Sequence, residues 1–518
     1  MRWILRCQQK HENCQTSPNT ALPTRVLDLG DGLLPRKIKI LTTNGLVAPY
    51  IALSYCWGNP DKMVKATAAT LPLWEEDLPW DILPILFQDV IRFTRKLRIR
   101  YLWLDALCIL QDDSQDWVRE SANMASIYSN SYLTVAATKA ASPQTSLFGT
   151  RWTRVEPGAQ SAGKMSISSV KVAQFSNNED IYVRPQLRLA HERFVEIDNA
   201  EEHVEDSPLL TRAWAFQERL LPVRTLHFHA EEMVWECVSG LSCECEEFHD
   251  ERYEGRPVWL KESLINSLKT YATPDELGYV WLDVVTEYSG LRLTNESDRM
   301  PAVSGIASKF SGKALGRYIA GLWETDLARD LCYEQGRKPE IGTVQSCDIN
   351  AVTRSQPSWS WTSTPLNGLT SISYNSVLYA GFEQDFDFKV LHLSCLPATK
   401  NPFSWVTSAE LKVRGSAIDA KFKSLSESNL EIEVGQHQSF RTTFSVDSGS
   451  DLRPLQKLCC LLVGYSIKSS LKTETYQFSI VLAECPSSRY KRVGFLKTER
   501  TERDELFSQA SVRTFDLA

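Results

Sequence analysis

The sequence predicts an α/β N-terminal half, a parallel sheet with flanking helices, followed by a mixed α+β C-terminal region. Three observations carry this expectation. Between residues 50 and 137, short apolar runs alternate with segments of helical periodicity in the order strand, helix, strand, helix, strand. Residues 260–335 carry mainly helical spacing. Residues 350–500 are rich in Ser, Thr and Val in short alternating runs, a pattern of β-structure.

Residues 1–45 read as a leader of short elements. Tyr50-Ile-Ala-Leu-Ser-Tyr-Cys-Trp57 is apolar and aromatic and stops at the turn cluster Gly58-Asn59-Pro60, which predicts a strand. Residues 85–98 place Ile85, Leu86, Val90, Phe93 and Leu97 at helical spacing. The run from Tyr101 to Ile109 is short and almost wholly apolar, which predicts a buried strand with Asp105 in its middle. Residues 111–116 are a source of N-caps for a helix over 117–129, whose apolar positions are Trp117, Met124, Ile127 and Tyr128. Residues 132–137 form the next β-like run. Periodicity fades over about 138–207, which reads as an insertion with some strands and an acidic end, a solvated loop. Helical character returns over 209–221, and residues 225–229 alternate as a strand does. A second acidic stretch, 231–254, marks a boundary. The expected organisation is a leader (1–45), an α/β domain (46–245) and a C-terminal region (246–518).

The chain has 518 residues, 43% hydrophobic and 23% charged, which excludes a disordered polymer. Its formal charge of −7 gives no general attraction to nucleic acid or to an anionic membrane. The longest apolar run, residues 458–467, is far short of the roughly 20 residues a spanning helix needs. The N-terminus lacks the apolar core of a signal peptide, so the expected location is cytoplasmic. Its 13 cysteines are then expected to be free thiols. Phosphate-binding glycine loops, the nucleophile elbow and the H-E-x-x-H helix are all absent.

Two carboxylates stand out. Asp105, within an apolar run, must be paired or hydrogen-bonded, with Arg212 a candidate partner; it is a structural anchor or takes part directly in chemistry. Glu120 falls about 60° from Trp117 and about 40° from Met124 on a helical wheel, close to the apolar stripe. An acid there complements the dipole of the first helical turn. At the carboxyl ends of parallel strands, where open sheets bind ligands, it could instead serve as a base or stabilise a cation. Cys7, His11 and Cys14 form one group of metal-ligating types, and Cys237, Cys243, Cys245 and His249 another. Neither has the paired C-x2-C spacing of a zinc site, so no metal is assigned. His227 and His229 read as the polar face of a strand.

Three blocks then resemble one family. Tyr50-Ile-Ala-Leu-Ser-Tyr-Cys-Trp-Gly58 is similar to the first signature of the fungal heterokaryon incompatibility (HET) domain. Tyr101-Leu-Trp-Leu-Asp-Ala-Leu-Cys-Ile-Leu-Gln-Asp-Asp113, continuing through Trp117, Glu120, Met124 and Ile127-Tyr128, is similar to the second. Arg212-Ala-Trp-Ala-Phe-Gln-Glu-Arg-Leu-Leu221 with Leu226-His-Phe228 is similar to the third. Leu110, where the family commonly has Asn, and Cys56, before Trp57, depart from the pattern. Weaker likenesses to regions that accompany the domain lie at 297–306, 321–324, 357–361 and 489–494.

The resemblance implies a fungal protein of self/non-self recognition and regulated cell death. It also implies a remote similarity to Toll/interleukin-1 receptor (TIR) domains, some of which cleave NAD. On that footing Glu120 is the catalytic carboxylate, although the Trp117-to-Glu120 spacing is one residue shorter than in most TIR versions. Ser54, Tyr55, Trp57 and Trp117 would contact substrate, and Asp105, Arg212, Trp214, Gln217 and Glu218 would shape the crevice. NAD would be a substrate, with no cofactor required. The implied partners are a second copy of the chain or another incompatibility-pathway protein. The alternative is a signalling module without catalysis that works by assembly.

Overall fold

The computed structural model describes residues 1–15, 20–30, 37–148, 153–155, 168–174, 180–183, 207–230, 232–246, 256–269, 272–337, 356–364, 370–379, 381–426, 429–434, 438–447, 456–466, 476–499, 507 and 509–518. The acidic residues 192–206 and His249 lie outside them. The chain divides into two compact units, Met1–Asn266 and Ser267–Ala518.

The first unit opens with helix α1 (Arg2–Lys10) and strands β1 (Arg25–Asp28) and β2 (Lys39–Thr42). Next come β3 (Tyr50–Ser54), α2 (Leu71–Glu76), α3 (Ile85–Lys96) and β4 (Tyr101–Trp103). They lead to α4 (Asp105–Cys108), α5 (Ser114–Ser129) and β5 (Leu133–Ala136). Strands β6 (Thr153–Val155), β7 (Ser168–Gln174) and β8 (Asp180–Val183) form a small separate sheet within the expected insertion. Then come α6 (Ala213–Leu220), β9 (Arg224–Phe228), β10 (Met233–Cys237) and β11 (Gly240–Cys243), and α7 (Arg256–Lys269) runs across the division at Asn266.

One eight-stranded sheet runs β11-β10-β9-β5-β3-β4-β1-β2. Its centre is parallel, with β3 between β4 and β5, and β5 beside β9. Its edges are antiparallel, because β1–β2 and β9–β10–β11 are joined by connections too short for a parallel crossover. The expectation of a parallel sheet therefore holds for the centre only, and the whole is mixed. The segment expected as a leader supplies β1 and β2.

Alternation along β3 sorts the core onto two faces. Ile51 and Leu53 pack with Leu86 and Val90 of α3 on one side. Tyr50 and Ala52 pack with Met124, Ile127 and Tyr128 of α5 on the other. All five β3 positions are buried, as in a strand covered on both faces.

Two local expectations are corrected. The strand predicted over 101–109 ends at Trp103, and Asp105 opens α4 rather than interrupting a strand. Its carboxylate accepts from its neighbour's amide, Ala106 N at 2.7 Å, an interaction that favours a helix start over continued extension. In α5 the buried face begins at Asp116, not at Trp117, which is 37% exposed. Asp116 is drawn inward because it accepts from Leu110 N at 2.8 Å and pairs with Arg25 and Arg119.

In the second unit, α8 (Pro274–Ser289) starts in a reciprocal Thr273–Glu276 capping box, and α9 (Arg299–Lys309) follows. Beyond them lies a nine-stranded sheet, antiparallel except for one pairing at Tyr490–Leu517. Gly321 has φ +93°, and its carbonyl accepts from Trp281 Nε1 at 3.2 Å and Trp361 Nε1 at 2.9 Å. A Cβ there would stand 2.8 Å from Trp361 Nε1, so only glycine fits both the backbone and the space. Among the described residues, no helix is long and apolar enough to cross a membrane.

Candidate functional site

The carboxyl ends of β3 and β4 deliver Ser54, Tyr55 and Asp105 to one place. Asp105 is only partly buried, yet both its oxygens are engaged. Oδ1 accepts from Tyr55 Oη at 2.7 Å as well as from Ala106 N, and Oδ2 accepts from Trp57 Nε1 at 2.7 Å. Burial pushes its pKa up against these donors. From the opposite side α6 presents Glu218, which accepts from Ser54 Oγ. Burial pushes Glu218 up to about 7, aided by the nearby Asp105 charge and opposed by Ser54, Arg212 and Tyr128. Tyr128 donates to Leu53 O at 3.0 Å, and burial holds both its hydroxyl and that of Tyr55 well above the ordinary tyrosine range.

Arg212 donates to Tyr55 O at 3.1 Å rather than pairing directly with Asp105, and its charge acts on both carboxylates through space. Gln217 is buried, and its amide has no hydrogen-bond partner among the described residues. Trp214 packs on the α5 face of the core. The structure thus gathers Ser54, Tyr55, Trp57, Asp105, Arg212 and Glu218, all singled out in the sequence, and adds Tyr128, which its core spacing had disguised.

Glu120 belongs to a different group. It is buried, and Arg119 Nε donates to it at 3.3 Å. It lines an open cleft of about 190 Å³ with Tyr50, Asn123, Ser126 and Asn130. The cleft lies between the α5 flank from Glu120 to the capping Asn130, the start of β3 and residues 21–24 ahead of β1. Among the described residues, no hydrogen bond joins Glu120 to Ser54, Tyr55, Trp57 or Trp117. Trp117 and Val118 face solvent.

The two histidines are not a pair. His227 is enclosed between Thr138 Oγ1 at 3.1 Å and Glu236 Oε2 at 2.9 Å, and His229 Nε2 meets Ser207 Oγ at 2.7 Å. Both are buried, so the strand face expected to be polar is an enclosed one. Glu236 also holds Arg219 at 2.8 Å and Lys261 at 3.5 Å. The cysteines regroup as well. Cys7, His11 and Cys14 of the first group meet Cys237 of the second, whereas Cys243 and Cys245 gather with Glu232. Cys237 lies so far along the chain from the others that local spacing carries no sign of the encounter.

Residues 50–218 match the family model described as heterokaryon incompatibility protein (HET). The match begins with β3, ends at Glu218 and so encloses every member of the Asp105–Glu218 group. No curated protein and no solved structure was found to match the chain.

Proposed function

We propose that this chain, heterokaryon incompatibility-type over residues 50–218, acts in the cytoplasm in self/non-self recognition and regulated cell death, and that it does so by cleaving NAD. The observation that carries the reading is the carboxylate pair Asp105 and Glu218, collected with Tyr55, Trp57 and Arg212 where β3 and β4 end. Open α/β sheets bind ligands at such ends.

In the reaction the bond between the ribose C1′ and the nicotinamide nitrogen breaks, and its electron pair leaves with neutral nicotinamide. The ribose is left as an oxocarbenium-like cation, to which water adds with loss of a proton. A carboxylate fixed beforehand stabilises that cation without reorganising. Two side chains suit this task. Glu120 is the one the resemblance assigns, and it lines a cleft, but a guanidinium already lies against it. Asp105 is oriented by three neutral donors and is partly accessible, with the Trp57 indole beside it for a ring to stack on.

The test is to incubate the purified full chain with NAD and follow nicotinamide by chromatography, with Asp105→Asn and Glu120→Gln proteins alongside. Release by the unaltered chain is expected, with the loss in one variant identifying the carboxylate. No release, even from assembled material, would overturn catalysis. A second reading, a non-catalytic module that assembles with itself or with a pathway partner, is favoured by one observation. Trp117 and Val118 expose adjacent large apolar side chains on the first turns of α5.

A further inference from the structure

We propose that Cys7, His11, Cys14 and Cys237 together bind one Zn²⁺ in a closed, structural site. The ligand atoms of these four residues all lie within 4.8 Å of one another. His11 Nδ1 is 3.4 Å from Cys237 Sγ and 4.0 Å from Cys14 Sγ. With Zn–S of about 2.3 Å and Zn–N of about 2.0–2.1 Å, the ligand atoms of a tetrahedral site stand roughly 3.5–3.8 Å apart. The two His11–sulfur spacings need only a few tenths of an ångström of adjustment, and the remaining pairs at most about 1 Å. No disulfide ties the described cysteines, and Cys7, Cys14 and Cys237 are fully buried.

The local fold explains the convergence. Cys7 lies on α1, and His11, the extended residue that caps the helix four positions later, donates its N–H to Cys7 O at 3.2 Å. Glu12–Cys14 makes a single tight turn that brings Cys14 back beside them. Cys237 is the last residue of β10 and opposes Gly240 across the hairpin to β11. The ion would therefore fasten the N-terminal helix to an outer strand of the sheet.

Charge and ligand chemistry select the metal. Three thiolates and a neutral imidazole around Zn²⁺ leave one net negative charge, which a buried site must balance. Arg224, itself fully buried, donates Nε to Cys7 Sγ at 3.3 Å and Nη2 to Cys14 O at 2.6 Å. Ser239 Oγ stands 3.6 Å from Cys14 Sγ. Such outer contacts orient ligands and set their basicity. Thiolates exclude Mg²⁺ and Ca²⁺, and four protein ligands leave no open position for a reacting molecule, so the role is structural. Among the described residues the Glu232–Cys243–Cys245 group offers three ligands, one of them exposed, and serves as the control.

The experiment is elemental analysis of the full chain purified without chelator, beside Cys237→Ser, Cys14→Ser and Cys245→Ser proteins. About one zinc per chain is expected for the unaltered protein and for Cys245→Ser, with loss from the other two. Exchange of the unaltered chain into Co²⁺ should give the intense visible bands and near-ultraviolet thiolate transitions of a tetrahedral sulfur-rich site. That spectrum decides the matter if the serine variants do not fold. Zinc retained in folded Cys237→Ser, zinc lost only from Cys245→Ser, or neither zinc nor a cobalt spectrum from the unaltered chain would overturn the site. So would a disulfide between Cys7 and Cys14 in protein prepared without air.

Discussion

Glu218 shows what single residues in this chain conceal and disclose. In the sequence it is one acid of the third resembling block, expected only to help shape the crevice; in the fold it is buried against Ser54 with Asp105 nearby, and burial pushes its pKa up to about 7. The sign of its effect on stability follows. A carboxyl whose folded pKa is raised above its unfolded value favours the folded state while protonated. That contribution is full below about 4.5, the unfolded value, and is lost as pH rises through about 7. Replacing Glu218 by Gln removes the titration and keeps an acceptor for Ser54. The melting temperature of Glu218→Gln relative to the unaltered chain should therefore rise between pH 5 and pH 8. The gain should be on the order of 3 kcal/mol at the upper end. A difference that stays flat across that range would show that Glu218 does not titrate there. Asp105 was legible as an anomaly because charge within an apolar run demands an explanation. Its partners were not, since the Tyr55 and Trp57 donors come from another strand end. Arg212, the partner the sequence suggested, binds the Tyr55 carbonyl instead.

At the scale of elements, periodicity located β3, α3, β4, α5, β5, α6 and β9, and errors gathered where a polar side chain competes with it. The α5 wheel placed Trp117 in the apolar stripe, but ion pairing pulls Asp116 inward and turns Trp117 outward. Hydrophobic patterning cannot see an ion pair formed with Arg25 on a distant strand. Caps are local, and so were legible. Among the polar residues 111–116 it is Asp113 that caps α5, accepting from Gln115 N at 2.9 Å and Asp116 N at 3.2 Å. Because that carboxylate satisfies two otherwise orphaned amides, Asp113→Ala should cost about 1 kcal/mol of stability. Urea unfolding followed by circular dichroism measures it through a lower midpoint at unchanged slope. Asp113→Asn should recover most of the loss, because the amide oxygen still accepts. An alanine variant as stable as the unaltered chain would mean that the cap contributes nothing to α5.

At the scale of the whole molecule, the strand–helix alternation of 50–137 announced the parallel centre of the first sheet, because each crossover helix lies in the sequence between the strands it joins. The sheet's edges were hidden, since β1 and β2 are short, lie in what read as a leader and pair only by position. Long-range convergence was hidden for the same reason, at Cys7–Cys237 and at the charges around Glu236. That second convergence sets how the first unit responds to acid. His227, pressed between Thr138 and Glu236, is lowered to about 4 chiefly by burial, and Glu236 is held well below the ordinary carboxylate range by Arg219 and Lys261. A histidine with a depressed folded pKa leaves the unfolded chain binding more protons between about 6.5 and about 4. Stability therefore falls as pH drops through that window. Glu236 acts in the same direction from its unfolded pKa downward, because its protonation favours the unfolded chain. Glu218 acts oppositely from 4.5 to 7, so the melting temperature of the first unit should pass through a maximum inside the shared interval and fall on either side. His227→Gln separates the two limbs. The amide can bridge Thr138 and Glu236 but carries no charge at any pH. The variant should therefore lose less stability than the unaltered chain between pH 6.5 and pH 4, by on the order of 3 kcal/mol, while the alkaline limb is unchanged. Parallel acid limbs in calorimetry of the two proteins would show that His227 is not the group that makes the fold acid-sensitive.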